Sequence, residues 1–129
     1  MSQTSDSNKA TALRLWEQAL NKRNFAVLPE INAPGYTFNG APQSNAEIEL
    51  FIDWINSQAP GYEFVVQNAV AEDDLVALYW QINIPAGNLI ASTGGKAAHG
   101  MGANFLTFVN GLVTSNNQAG GLADVVVNS

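Results

Sequence analysis

The chain has 129 residues, of which 47% are hydrophobic and 12% are charged, and its formal net charge is −6 at pH 7. This length is typical of one domain with its own core, so we expect a single domain over residues 1–129. The acidic balance disfavours binding to nucleic acid, or to an anionic membrane, through a basic patch. The lack of cysteine excludes disulfides and thiol catalysis, and one histidine disfavours the common zinc sites, so we expect no metal.

The amino terminus has no pattern of export or membrane insertion. Met1–Ser7 lacks the basic start and the apolar stretch of a signal peptide. No apolar run approaches the roughly 18 residues that a membrane-spanning helix needs. We therefore expect a soluble, cytoplasmic protein.

The first part of the chain has the periodicity of helices. Asp6 or Ser7 can cap a helix that runs to about Lys22. Its apolar side chains recur three to four residues apart, at Ala10, Leu13, Trp16, Ala19 and Leu20. A short second helix is predicted over Phe25–Ile31, and Ala33-Pro34-Gly35 ends it.

A short strand, a third helix and a longer strand follow. Tyr36–Phe38 is predicted to be a strand with both aromatic side chains on one face. Ser44 caps the next helix, because Glu47 stands three residues later and completes a capping box. Pro60-Gly61 ends this helix, and Tyr62–Ala71 alternates as a strand. Its predicted faces are Phe64, Val66 and Asn68 on one side and Val65, Gln67 and Ala69 on the other.

The second half of the chain predicts three consecutive antiparallel strands. They are Leu75–Ile84, Ala97–Val109 and Leu112–Asn117. Pro85–Asn88 and Gly94-Gly95 break the first connection, and Asn110-Gly111 makes the second. Asn-Gly is a strong signal for a two-residue hairpin, because a type I′ turn needs φ > 0 at both central residues. Helices followed by such a meander indicate an α+β fold, with a curved antiparallel sheet wrapped around the N-terminal helices and a pocket inside.

Segments spread over most of the chain carry a resemblance to a known family. They are Trp16–Asn24, Leu28, Ile31–Tyr36, Phe51–Ile55, Ala59–Phe64, Val70–Trp80, Thr93–Lys96 and Phe105–Val113. In this order and spacing, the chain resembles the SnoaL-like polyketide cyclases, within the superfamily that looks like nuclear transport factor 2. The resemblance implies a cone-shaped α+β domain with a deep apolar cavity. It also implies an aldol ring closure on an aromatic polyketide, without a metal or an organic cofactor.

The last strand departs from the pattern of this family. After the Asn-Gly turn the family usually continues with an acid, often a Trp, and then an Asp that does acid–base work. Here Ser115 and Asn117 stand at the first two places, Gly120 and Gly121 stand near the third, and the nearest acid is Asp124. An amide can donate or accept a hydrogen bond, but it cannot take a proton as a base. Two functions stay open: a cyclase- or isomerase-like enzyme, which we favour, and a non-catalytic ligand-binding or dimerisation module.

Two side chains are candidates for proton transfer. His99 is the one histidine, the residue type that titrates nearest to neutral pH, and it would be the general base if it faced the cavity. It could equally lie at an exposed strand mouth. Asp53 stands beside an aromatic residue on the third helix and could act as an acid or base there, although a position on the solvent side is the simpler interpretation. An epoxide hydrolase of the same fold is disfavoured, because Arg14 and Arg23, the only arginines, both lie near the first helix.

Aromatic and amide side chains are the candidates for contact with a ligand: Trp16, Tyr36, Phe38, Trp54, Tyr79, Gln81, Asn104 and Asn117. Asn is uncommon within strands, so amides there suggest a polar patch in the cavity that orients a carbonyl or hydroxyl group. The amides could instead lie on a solvated sheet face or in a dimer interface. The aromatic residues could instead belong to the core. Alternation places Asn117 and Asn116 on opposite faces of the last strand, so both cannot point inward.

The expected partner is a small, apolar, oxygenated ligand or substrate. We also expect a homodimer, because an open apolar sheet with few charges leaves an outer face to be covered.

Overall fold

A computed structural model describes residues 3–87, 93–121 and 125–128, and over these residues helices pack against one face of a curved, unclosed sheet. Helix α1 spans Gln3–Arg14 and continues as a π-helix over Leu15–Asn21. A 3₁₀ turn at Phe25–Val27 leads into α2, Leu28–Ile31, and α3 spans Asn45–Gln58. None of the helices in these segments is long and apolar enough to cross a membrane.

The described residues contribute seven strands to one sheet: β1 Asn32–Phe38, β2 Ala41–Pro42, β3 Glu63–Glu72, β4 Leu75–Ile84, β5 Ala98–Val109, β6 Leu112–Gly120 and β7 Val126–Val127. Their order is β2-β1-β6-β5-β4-β3, and β7 pairs with β5 beyond the end of β6. The pair β1–β6 is parallel, and the other pairs are antiparallel. The predicted α+β fold and its meander are confirmed. Asn88, predicted to help break the connection between β4 and β5, lies outside the described residues.

The predicted N-terminal caps of α1 and α3 have different outcomes. Helix α1 begins before the predicted caps Asp6 and Ser7; Ser5 is buried, and its Oγ donates a hydrogen bond to the carbonyl oxygen of Asp73 at 3.3 Å. The first turn is therefore held against the β3–β4 turn. The predicted capping box of α3 is confirmed, because Glu47 N donates to Ser44 Oγ at 3.1 Å and Ser44 N donates to Glu47 Oε1 at 3.2 Å.

The Asn-Gly turn has the predicted geometry. Asn110 and Gly111 have φ values of 52° and 80°, and Val109 pairs with Leu112 across the turn. Positive φ at both central residues is the signature of type I′, so this prediction is confirmed. Further along β6 the register shifts, and Thr114 is an extra residue without a partner on β5. This bulge decides which side chains of β6 face the helices.

A second bulge corrects the predicted faces of β3. Val66 pairs with Trp80 and Asn68 pairs with Tyr79, so Gln67 is the extra residue. Beyond it the alternation reverses, and Asn68 is exposed while Ala69 packs against the core. The prediction that Asn68 shares a face with Phe64 is therefore wrong, because strict alternation cannot continue through a bulge.

The core lies between the helices and the inner face of the sheet. The inward side chains of β4 and β5 are every second residue, from Val76 to Ile84 and from Ala98 to Phe108. They meet α2 and α3 through buried aliphatic side chains such as Leu28, Ile52 and Ile55. Full burial of one such side chain stabilises the fold by about 1.5–3 kcal/mol.

Candidate functional site

A cavity of about 430 Å³ opens beside the core, and its wall is mostly apolar. The side chains or backbone of these residues line it: Leu15, Trp16, Leu20, Asn32, Tyr36, Phe38, Gln43, Ile48, Phe51, Ile52, Trp54, Ile55, Phe64, Trp80, Asn104, Asn116, Gln118 and Gly120. All three tryptophans of the chain are among them. Phe51 and Trp54 are each about half exposed and stack with ring centroids 6.3 Å apart, so they form part of the cavity mouth.

The π-helix brings one wall into place. Its hydrogen bonds join residues five apart, so Leu15 and Leu20 lie on the same side of the helix, and both line the cavity with Trp16. At the end of this helix the side chain of Asn21 pairs with the backbone of Phe64. Asn21 Nδ2 donates to the Phe64 carbonyl oxygen at 2.9 Å, and Phe64 N donates to Asn21 Oδ1 at 2.7 Å. The helical wall is thereby joined to β3, which supplies the next aromatic ring of the cavity.

A chain of hydrogen bonds crosses the inner face of the sheet. Trp80 Nε1 donates to Asn104 Oδ1 at 2.7 Å, and Asn104 Nδ2 donates to Asn116 Oδ1 at 2.8 Å. Asn104 Nδ2 also lies 3.4 Å from Gln118 Oε1. These side chains come from β4, β5 and β6, so the chain spans three strands. The Asn116 side chain also lies close enough to Tyr36 to lower the pKa of its phenol.

Tyr36 is the only ionisable side chain among the described residues that line the cavity. Burial raises the pKa of Tyr36 to about 12, against the smaller, opposite effect of the neighbouring Asn116 side chain. The phenol therefore keeps its proton at neutral pH. The described wall offers hydrogen-bond donors and acceptors but no carboxylate, histidine or lysine.

Two buried polar atoms of lining residues have no hydrogen-bond partner within the described chain. They are Nε1 of Trp16, a donor, and Oδ1 of Asn32, an acceptor, and the two residues are 4% and 5% exposed. Asn32 Nδ2 donates to Asn45 Oδ1 at 3.1 Å, which leaves the oxygen as the unpaired end of the amide. An unpaired buried polar group costs about 1–3 kcal/mol, so such groups call for an explanation.

Five of the predicted ligand-contact residues line the cavity: Trp16, Tyr36, Phe38, Trp54 and Asn104. The other three, Tyr79, Gln81 and Asn117, lie on the outer face of the sheet, away from it. The hydroxyl of Tyr79 donates to the sulfur of Met101 at 3.3 Å. Gln81 Nε2 donates to Asn83 Oδ1 at 2.6 Å, and Asn117 is exposed opposite Phe105.

The two candidates for proton transfer also lie outside the cavity lining. His99 is on the outer face of β5, where Nδ1 lies 2.6 Å from Oδ1 of Asn128. Asp53 is exposed on α3. Burial raises the pKa of Tyr62, the neighbouring Arg23 side chain and its charge lower it, and the charge of Asp53, the smallest effect, raises it. The structure therefore brings neither residue together with the polar chain, and Asp124 lies outside the described residues.

Sequence reasoning missed three polar lining residues, Asn32, Gln43 and Gln118, and it considered Asn116 without selecting it for ligand contact. Asn116 was placed on the face opposite to Asn117, which is correct, but nothing local showed which face looks inward. Within the described segments, no three or more His, Asp or Glu side chains are grouped as metal ligands would be.

Comparison with known proteins supplies the family. Residues 12–116 match the profile of the SnoaL-like domain. The chain belongs to the SnoaL-like domain family. No curated protein sequence matches it.

Solved structures resemble this SnoaL-like protein over nearly its whole length. A proposed SnoaL-like polyketide cyclase from Jannaschia sp. CCS1 is 20% identical, with a TM-score of 0.77 over 95% of this chain and 91% of the other. A proposed polyketide cyclase from Acidithiobacillus ferrooxidans is 19% identical, with a TM-score of 0.77 over 96% and 94%. IdmH, a proposed polyketide cyclase from Streptomyces antibioticus, is 19% identical, with a TM-score of 0.75 over 95% of each. At these identities the likeness shows the shared fold.

Proposed function

We propose that this SnoaL-like protein binds a small, largely apolar, oxygenated molecule in its cavity and acts on it in a cyclase- or isomerase-like role without a cofactor. The observation that carries the proposal is the cavity wall, in which aromatic and aliphatic side chains surround a short chain of neutral polar groups. Family membership and the proposed cyclases among the structural relatives support the same role.

The size and the lining of the cavity support a small-molecule ligand. Its volume of about 430 Å³ falls within the roughly 300–1,000 Å³ of known small-molecule sites, which are mostly apolar with a few placed polar groups. The wall lacks a charged side chain in the described residues, so a neutral molecule fits it better than an ion. A polyketide-like molecule, apolar with spaced carbonyl or hydroxyl groups, has this chemistry.

The unpaired polar atoms support an oxygenated rather than a purely hydrocarbon ligand. A hydroxyl or carbonyl oxygen could accept from Nε1 of Trp16, and a hydroxyl could donate to Oδ1 of Asn32. We propose that Trp16, Tyr36, Phe38, Trp54 and Asn104 contact the ligand. His99 and Asp53 have no part in this proposal, because both lie outside the lining.

The chemistry that this wall favours is positioning and carbonyl polarisation. When two ends of one molecule are held in reactive geometry, each end reacts as if the other were present at a concentration of up to about 10⁵–10⁸ M. Neutral donors can stabilise negative charge that develops on a carbonyl oxygen. Since the described lining offers no base, a carbon-bound proton would pass to water or to a group on the substrate itself.

A non-catalytic binding module is the second candidate, and the same lack of a lining base favours it. The two can be separated by measuring binding and turnover on one set of cyclisable polyketide-like ketones. All three tryptophans line the cavity, so ligand entry should change tryptophan emission. Binding with rearranged product supports the enzyme, binding with unchanged ligand supports the module, and unchanged emission with every ketone contradicts both.

We also propose that the protein is a homodimer that covers the outer face of the sheet. This face carries exposed apolar side chains, namely Val65, Val70, Leu75, Tyr79, Met101 and Phe105. Contiguous exposed apolar patches of this kind mark interaction surfaces.

A further inference from the structure

We propose that Trp16 and Asn32 form a polar subsite that selects a hydroxy ketone: Nε1 of Trp16 donates a hydrogen bond to a carbonyl oxygen of the bound molecule, and Oδ1 of Asn32 accepts one from a hydroxyl group. This inference rests on the proposed function, which supplies the bound molecule. It adds the two functional groups that the molecule must present and the side chain that recognises each of them.

The two buried tryptophans of the cavity wall differ in their hydrogen bonds. Trp80 is 3% exposed, and its Nε1 donates to Asn104 Oδ1 at 2.7 Å. Trp16 is 4% exposed, and its Nε1 has no partner within the described chain. An indole N–H can donate a hydrogen bond but cannot accept one, so only an acceptor can pair with it. The wall therefore holds one indole donor that the protein itself satisfies and one that is left for a bound molecule.

The donor of Trp16 is held in place by the helix that carries it. Trp16 belongs to the π-helix Leu15–Asn21, and this helix also supplies Leu15 and Leu20 to the cavity wall. The end of the helix is joined to β3 by the two hydrogen bonds between Asn21 and Phe64, of 2.9 and 2.7 Å. A donor on such a fixed, buried element needs little ordering when a molecule binds, so its hydrogen bond to a carbonyl oxygen contributes more to affinity.

Asn32 supplies the complementary group from β1. Its Nδ2 donates to Oδ1 of Asn45, the first residue of α3, at 3.1 Å. Its Oδ1 has no partner within the described chain, and the residue is 5% exposed. An amide oxygen only accepts hydrogen bonds, so the group that pairs with it must carry a proton. A hydroxyl group of a neutral molecule meets this requirement.

A hydroxy ketone is the pattern of two oxygens that pairs both atoms and adds no unpaired one. A diketone has two acceptors and no donor, so the oxygen of Asn32 would stay unpaired. A diol would bring a second hydroxyl proton to Trp16, and this proton would need an acceptor in a mostly apolar wall. A carbonyl oxygen brings no such proton. The chemical class assigned to the subsite is therefore a ketone that also carries a hydroxyl group.

Bicyclic probes of one shape test the half of the inference that concerns Trp16. Tetralin has no oxygen and 1-tetralone has a carbonyl, and calorimetry gives the affinity of each for the native protein and its variants. Trp16→Phe keeps an aromatic ring but removes the N–H. The affinity for 1-tetralone relative to tetralin should therefore fall about three- to tenfold, the scale of one hydrogen bond. Trp54→Phe is the matched control at the half-exposed mouth, and it should change both affinities by the same factor.

Hydroxylated probes test the half that concerns Asn32. The isomers 5-, 6- and 7-hydroxy-1-tetralone place a hydroxyl at different distances from the carbonyl, and at least one should bind the native protein more tightly than 1-tetralone. Asn32→Leu removes the acceptor at a similar side-chain volume. It should lower the affinity for the tightest-binding isomer relative to 1-tetralone about three- to tenfold. Asn117→Leu, the same change on the outer face of the sheet, should leave both affinities unchanged.

A measurement on the native protein keeps the test independent of whether the variants fold. The indole N–H protons of Trp16, Trp54 and Trp80 give separate NMR signals. A hydrogen bond to a ketone moves such a proton downfield, so the Trp16 signal should lie further downfield with 1-tetralone than with tetralin. The Trp80 signal should be the same with both probes, because its proton is already bonded to Asn104.

The outcomes separate this inference from the proposed function. If 1-tetralone binds while the Trp16 signal stays at its position with tetralin, or while Trp16→Phe leaves the affinity ratio unchanged, the inference is overturned and the apolar cavity remains the binding site. A hydroxyl preference that is missing in the native protein, or that survives Asn32→Leu, would also overturn it. Binding of none of the probes to the native protein would overturn the proposed function and the inference together.

Discussion

Nε1 of Trp80 lies 2.7 Å from Oδ1 of Asn104, across the paired strands β4 and β5. Both residues are almost fully buried, at 3% and 2% exposed. This bond joins the aromatic part of the cavity wall to its polar part. Trp80 packs edge-on against Phe64, with ring centroids 5.1 Å apart, and Asn104 donates a hydrogen bond to Asn116. Loss of either partner would leave a buried polar group unpaired, at a cost of about 1–3 kcal/mol.

Gly102 makes room for this arrangement. It pairs with Trp80 across the sheet, and a Cβ at this position would overlap the indole ring. We expect Gly102→Ala to lower the free energy of unfolding by about 1–3 kcal/mol, the scale of overpacking, in a urea denaturation. Gly100→Ala is the matched control on the same face, and it should lose less stability. There the new methyl would meet the side chains of Val125 and Ile82 at 3.1 and 3.3 Å and the backbone oxygen of Gly121 at 3.3 Å. Equal losses in the two variants would show that the position of Trp80 does not depend on Gly102.

The Asn-Gly turn should tolerate few residues at its second position. Gly111 has a φ of 80°, a conformation that costs a β-branched residue about 1–3 kcal/mol. Gly111→Val should therefore lower the melting temperature, and Gly111→Asn should lower it less, because Asn adopts positive φ more readily. Calorimetry on the three proteins gives the comparison. An unchanged melting temperature in Gly111→Val would contradict the assigned turn.

Burial of Tyr36 should appear as a loss of stability at high pH. Its pKa is raised to about 12, above the ordinary value of about 10 that applies in the unfolded chain. As pH rises, the unfolded state loses this proton first, so a contribution of about 2–3 kcal/mol that is complete below pH 10 is lost between about pH 10 and 12. The stability of Tyr36→Phe should fall less over this range in urea denaturations, whereas Tyr79→Phe, on the outer face, should follow the native protein. Parallel curves for Tyr36→Phe and the native protein would refute the assignment.

The outer face of the sheet should hold two copies together. Phe105 is 44% exposed on this face, where it pairs with Ala77 and Asn117, and Tyr79 and Met101 are exposed further along the same face. Light scattering at tens of micromolar should give the mass of a dimer, and Phe105→Glu should give a monomer, because a charge would be buried without a partner. Leu50→Glu on α3, where the side chain is also exposed, should stay dimeric. A monomeric native protein would refute the dimer.

Local chemistry made much of the fold predictable. Asn110-Gly111 and the pair Ser44 and Glu47 act through contacts within four residues, so their turn and cap follow from the sequence alone. The apolar alternation of β4 over Leu75–Ile84 gave its bounds, since each inward residue is buried. The family resemblance, carried by the order of such elements, is confirmed as well.

The site was harder to predict because it depends on register. An Asn-Gly turn followed by regular pairing would place Asn117 opposite Asn104, but the bulge at Thr114 places Gln118 there and turns Asn117 outward. Bulges leave no clear mark in a sequence. Similarly, the inward face of β5 could not be chosen from His99 and Asn104 alone, because they stand five residues apart and an odd separation puts them on opposite faces. The structure shows that Asn104 is the inward one.

The most direct test of the account is a crystal structure of the protein with 1-tetralone. We expect the ring system of this bicyclic ketone to lie between the aromatic side chains of the cavity. Its oxygen should lie about 2.7–3.2 Å from Nε1 of Trp16, the unpaired buried donor of the lining. A ketone seated in the cavity with its oxygen away from Trp16, or bound on the outer face of the sheet, would contradict the account.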